Sequence, residues 1–147
     1  MKESMKRSFD ELQARVDHQA LQDFGPEVFR RWKNPAFMGR MLQYDSKAEA
    51  AGSCGNKMTI YLRLQNDVIS EATFFSEGCG TSVVCASVTC ELARGRPLKQ
   101  AMELRPEDIM RLLPGLPPAR KKYAQLGISA LHRAVEKLLR PQSCRVA

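Results

Sequence analysis

Three cysteines, Cys79, Cys85 and Cys90, fall within twelve residues, and two more stand at Cys54 and Cys144. Such a run could be a metal cluster, a disulfide framework or ordinary core. The stretch from about 80 to 94 reads as a helix. Helical geometry of 100° and 1.5 Å per residue then puts Cys79 and Cys90 on nearly one face but about 16 Å apart, with Cys85 roughly 120° round from Cys79 and about 9 Å along. Zinc–sulfur and iron–sulfur bonds are only about 2.3 Å long, so one metal cannot collect all three. Cys85 and Cys90, among Val83, Val84, Val88 and Leu92, read as small buried hydrophobes. Cys79 differs, because it sits between Gly78 and Gly80 where the helix begins, and backbone N–H groups and the helix dipole favour the thiolate there. A second Cys-Gly pair lies in GlySerCysGlyAsnLys, residues 52–57. Cys54 precedes one strand of a hairpin as Cys79 follows the other, and a hairpin brings its outer ends together. The two are expected to be neighbours in space.

The elements that must position them follow from hydrophobic period. Residues 3–22 carry Phe9, Leu12, Val16 and Leu21 at near-helical spacing, which predicts an amphipathic N-terminal helix ended by Gly25-Pro26. A short helix over about 26–33 stops before Asn34-Pro35. In residues 57–65 Met58, Ile60, Leu62 and Leu64 alternate with polar positions, a half-buried strand, and Asn66-Asp67 turns it into residues 68–75 as its hairpin partner. A weaker strand over Gly39–Tyr44 would complete the sheet. Helices are predicted over about 80–94, 97–103, Pro106–Leu113 and 118–139. Strands first and helices afterwards predict an α+β fold, with a small antiparallel sheet covered by helices on one face. The division is an N-terminal helical extension (1–25), one domain (26–140) and a tail (141–147).

Composition bounds the function. The chain has 147 residues, 44% hydrophobic and 27% charged, enough for one self-sufficient core. Its longest uncharged stretch, Gly78–Cys90, is far short of the roughly 20 apolar residues that span a bilayer. No secretory h-region follows the charged N-terminus, so a cytoplasmic location is expected. An odd count of five cysteines in a reducing compartment argues for thiols or metal ligands over disulfides. The net charge of +7 is concentrated from Leu116 onward, where seven Lys and Arg face one acid, Glu136. No recognition motif accompanies those cations and Tyr123 is the lone aromatic among them, so a solvated helix face is expected and not a nucleic-acid site.

Five segments in register carry a family likeness: AsnProAlaPheMetGlyArgMet (34–41), SerCysGlyAsnLysMet (53–58), AspValIleSerGluAlaThrPhePheSerGluGlyCysGly (67–80), GluLeuAlaArgGlyArgProLeu (91–98) and LeuProProAlaArg (116–120). Together they resemble the IscU/NifU-type iron–sulfur scaffold proteins over roughly residues 26–140. The resemblance implies a three-stranded antiparallel sheet and an exposed site where three cysteines and an aspartate surround a [2Fe-2S] cluster. It also implies sulfur supplied by a cysteine desulfurase, a LeuProPro loop recognised by a DnaK-class chaperone, and transfer to apo iron–sulfur proteins. Carried over by position, Cys54 and Cys79 match the first two cysteines. Asn56 stands where the family has aspartate, and Lys122-Tyr123 stands where it has a His-Cys pair, removing the third thiolate and the expected persulfide acceptor. The chaperone loop reads Leu116, Pro117, Pro118, Ala119, Arg120.

A [2Fe-2S] cluster takes four protein ligands, and one chain offers two at this site. Cys144 lies beyond Pro141, past a helix whose far end is about 25 Å from Tyr123, and is disfavoured in cis. His132 is weighed as a ligand and disfavoured. Tyr123 either binds ferric iron as a phenolate or, as a neighbour of Leu126 and Ala130 on the apolar face, packs in the core. The expectation is therefore a non-enzymatic scaffold or carrier that holds a [2Fe-2S] cluster or iron through Cys54 and Cys79, with a homodimer pooling thiolates. Zinc is the alternative metal, lacking a nameable third ligand. The competing expectation is a degenerate paralogue that binds a desulfurase, scaffold or chaperone without cluster chemistry.

Overall fold

The computed structural model describes residues 25–52, 56–77 and 80–139, with Ser8, Glu11, Leu12, Ala14 and Arg15 besides. Those five are helical and exposed; the rest of the predicted N-terminal helix, the tail over 141–147, and Cys54, Cys79 and Cys144 lie outside the described residues.

Helix α1 (25–33) leads into an irregular stretch, followed by β1 (Ser46–Ala51), β2 (Lys57–Gln65) and β3 (Val68–Glu77). The strands form one antiparallel sheet in the order β1-β2-β3. Helices α2 (Gly80–Ala93), α3 (Leu98–Ala101), α4 (Pro106–Leu112) and α5 (Lys121–Leu139) follow, and a 3-10 turn over Pro118–Arg120 leads into the last. The hairpin forms where the alternation predicts it. Asn66 and Asp67 have φ of 55° and 62°, the two positive values a type I′ turn needs, and both residue types tolerate them.

The third strand is not the expected one. Residues 40–44 form no strand, and Met38 makes a single bridge to Phe74; the sheet is completed by Ser46–Ala51. Its inward positions are Ser46, Ala48 and Ala50, small side chains with little β-propensity. They are small because α5 lies directly over them. The Ser46 hydroxyl donates to the Ala134 carbonyl at 2.8 Å, and Ala130 and Ala134 are fully buried.

On the inner face Met58, Ile60, Leu62, Ala72 and Phe74 are buried against α2 and α5, a two-layer core with α3 and α4 packed on α5. The contact between α2 and α5 is close. A Cβ on Gly127 would stand 2.5 Å from Thr89 Oγ1, and that hydroxyl is held in place by donating to the Cys85 carbonyl at 2.7 Å. α1 lies beside α2, where Arg31 pairs with Glu91 at 3.2 Å.

Candidate metal centre

One end of the sheet gathers the segments that matter. Ala51, Lys57 and Glu77 are paired across the three strands, so β1, β2 and β3 all end or begin on one line. From Ala51 the chain enters the loop that contains Cys54. That loop is closed by the Gly52 N–H donating to the Asn56 carbonyl at 2.8 Å. From Glu77 it passes residues 78–79 and enters α2 at Gly80. Cys54 and Cys79 themselves are outside the described residues; the structure fixes the ends from which their segments depart.

The start of α5 comes to the same place. Ala51, Gly52, Lys122, Tyr123, Ser129 and Arg133 line a cavity of about 250 Å³, and Leu126 Cδ2 would be 3.9 Å from a Cβ on Gly52. Position 123, where the resemblance puts the third cysteine, is thus beside the Cys54 loop. Tyr123 is 8% exposed and belongs to the core, with the Lys122 ammonium 5.3 Å from its ring centre. Lys122 is exposed and Asn56 half-buried. Among the described residues no three His, Cys, Asp or Glu side chains could jointly hold a metal.

The remaining candidates fall away from this end. Cys85 and Cys90 are fully buried in α2, and burial pushes the Cys90 thiol up, away from the thiolate a metal requires. His132 is half-buried, nine residues beyond Tyr123, which places it about 180° round α5 and about 13 Å along. In the LeuProPro loop Leu116 is buried, whereas Pro118 and Ala119 are exposed on the 3-10 turn. Lys121 anchors the end of that turn to α4 by donating to Glu107 at 2.7 Å, a bond that holds the Glu107 carboxyl below its usual range.

Trp32, the single tryptophan, carries no motif that marks it for this end of the sheet. Its indole lies against Gly80, where a Cβ would meet Nε1 and stand 2.7 Å from Cδ1. Only glycine fits, immediately after Cys79. Gly80→Ala is therefore expected to push the indole off α2. Tryptophan emission should shift to the red, and denaturant unfolding should show a loss of about 1–3 kcal/mol from overpacking. Unchanged emission and stability would contradict this contact.

The sequence pattern of the NifU-like N-terminal domain matches residues 23–145. The chain belongs to the NifU-like N-terminal family. The iron–sulfur cluster assembly scaffold protein IscU of Aquifex aeolicus (strain VF5) is 31% identical over 127 residues, covering 82% of this chain and 78% of that one. The bifunctional protein NifU/MnmA of Rubrobacter xylanophilus is 33% identical over 116 residues, 77% of this chain and 24% of that longer protein. Among solved structures, a protein described as a SUF-system iron–sulfur cluster assembly scaffold from Fervidobacterium islandicum superposes with a TM-score of 0.66 at 20% identity. That match covers 79% of this chain and 98% of the other, and it shows the shared fold. Among the described residues, Ala51 and Gly52 share one cavity with the first turn of α5, and β3 delivers the chain into α2 from the same end of the sheet.

Proposed function

We propose that this chain is a scaffold on which an iron–sulfur cluster is assembled and held for transfer to apo-proteins, with Cys54 and Cys79 as its thiolates. The observation that carries this reading is the pairing of Ala51, Lys57 and Glu77, which sends the two Cys-Gly segments out from one end of one sheet, in a chain of this family. The cargo is a [2Fe-2S] cluster or its iron, with zinc a poorer fit to two thiolates. With tyrosine at 123, lysine at 122 and the neutral amide of Asn56, each chain contributes two ligands of the four, so two chains share one cluster. A cysteine desulfurase supplies sulfur, and a DnaK-class chaperone reads the exposed Pro118-Ala119 of the LeuProPro loop. No helix among the described residues is long and apolar enough to cross a membrane, and the reading places this work in the cytoplasm.

Anaerobic reconstitution with ferric iron and a sulfide source tests it. The expected product is a chromophoric dimer with about one iron and one sulfide per chain. Cys54→Ala and Cys79→Ala should each abolish it. Absence of chromophore in the parent, or loading of either variant equal to that of the parent, would sink the proposal.

A second reading rests on the same three positions. Asn56, Lys122 and a core-buried Tyr123 are what a non-assembling paralogue would carry, one that binds a desulfurase or scaffold through the retained surface. Desulfurase capture by a chain that takes up no cluster is its signature.

A further inference from the structure

The two edges of the sheet are finished in different ways. β3 is sealed by backbone: the Gly39 N–H donates to the Phe74 carbonyl at 2.8 Å and the Phe74 N–H to the Phe37 carbonyl at 3.0 Å. Farther along, the Ile69 N–H donates to the Arg96 carbonyl at 2.9 Å and the Gly95 N–H to the Ile69 carbonyl at 2.7 Å. Along β1 no backbone segment among the described residues takes the fourth place. Its outward carbonyls receive side chains from α5 instead. Arg133 Nη1 donates to the Glu49 carbonyl at 2.9 Å, and Lys137 Nζ donates to the Lys47 carbonyl at 2.7 Å. Both cations are exposed.

We propose that this edge accepts an extended acidic segment of a partner protein as a fourth strand. An incoming strand offers N–H groups to the Lys47 and Glu49 carbonyls and displaces the two cations that now occupy them. Backbone pairing alone replaces one set of hydrogen bonds by another and leaves two charges without their acceptors. Carboxylates on the incoming strand restore them as charge-assisted bonds. The spacing agrees. Arg133 and Lys137 are four residues apart on one face of α5, about 6 Å along its axis. Residues i and i+2 of a strand, whose side chains share one face, are about 6.7 Å apart. Acids at alternate positions, on the α5 side of the new strand, therefore meet the two cations in register. The cavity of about 250 Å³ between α5 and the end of β1, lined by Ala51, Gln125, Ser129 and Arg133, gives the last such side chain room. Main-chain bonds supply affinity in this mode and the alternate side chains supply selectivity. This surface adjoins the candidate metal centre at that cavity, but its strand pairing draws on the Lys47 and Glu49 carbonyls and on no thiolate.

The probe is an acetylated, amidated peptide of alternating threonine and glutamate, titrated into the full apo chain at low salt and followed by backbone amide NMR. The amides of Lys47, Glu49 and Ala51 should shift. A threonine–lysine peptide should bind at least about tenfold more weakly, and salt should erode the difference. N-methylation at either the glutamates or the threonines, whichever set of donors faces β1, should weaken binding by at least about tenfold. The Arg133→Gln, Lys137→Gln double variant should lose affinity to a similar degree. The methylated peptides act on the parent protein, so they decide the matter even if that variant is unstable. Shifts confined to other residues, equal binding of the lysine peptide, or indifference to both methylations would show that Arg133 and Lys137 only shield the edge.

Discussion

Tyr123→Cys is expected to double the iron content of the reconstituted protein, from about one to about two per chain, and to convert a cluster-bridged dimer into loaded monomers. The residue stands on the first turn of α5 and lines the cavity beside Gly52, at the end of the β1–β2 loop. On the proposed reading, a thiol placed there joins those of Cys54 and Cys79 on one chain, and three thiolates with a small-molecule fourth ligand no longer require a second chain. The substitution empties most of an aromatic ring from the core and should cost about 2–4 kcal/mol. Tyr123→Ala is the control, because it opens the same space without sulfur and should stay dimeric when loaded. Native mass spectrometry with iron and sulfide counting reads the result. Identical stoichiometry in the Cys and Ala variants would remove position 123 from the site.

Phe74→Ala is expected to have the largest effect on folding. Phe74 is fully buried on the inner face of β3, among the largest side chains with no exposure. Its backbone also ties the segment at residues 37–39 to the sheet, and those bonds survive the substitution. The loss is therefore one of packing, about 3–5 kcal/mol, against a total of about 5–15 kcal/mol for an ordinary domain. A fall of roughly 10–15 °C in the thermal midpoint follows for a chain of this size. Phe75, the next residue, lies on the opposite face with the Arg40 guanidinium 4.2 Å from its ring centre, and is only partly buried. Phe75→Ala should lower the midpoint by less than half as much. Equal falls would mean that the sheet is covered on both faces.

The hairpin was legible because its signals are local: Met58, Ile60 and Leu62 alternate with polar residues, and Asn66-Asp67 accept positive φ. The core role of Cys85 and Cys90 was legible for the same reason, since their apolar neighbours lie within the helix itself, and both are buried in α2. β1 was not legible. Its inward side chains answer to the closeness of α5, which no window around Ser46–Ala51 contains, and the bulkier Gly39–Tyr44 looked more like a strand. Trp32 and Gly80 are likewise a contact between distant segments, and so are the bonds from Arg133 and Lys137 to β1. What the sequence conceals here is long-range complementarity; what it shows is period and turn chemistry.

The pairing of β1 with α5 also sets an order of events in synthesis. Ser46 meets the carbonyl of a residue 88 positions later, and the bonds from Lys137 to Lys47 and Arg133 to Glu49 join positions 90 and 84 apart. β2, β3 and α2 are contiguous and can consolidate as soon as they emerge. β1 can pair with β2 early, yet Ala48 and Ala50 have no cover until the last helix is complete. Contacts this remote in the chain close late and slow the final step of folding. Until then the nascent domain has an uncovered strip of sheet where its finished form is covered by α5.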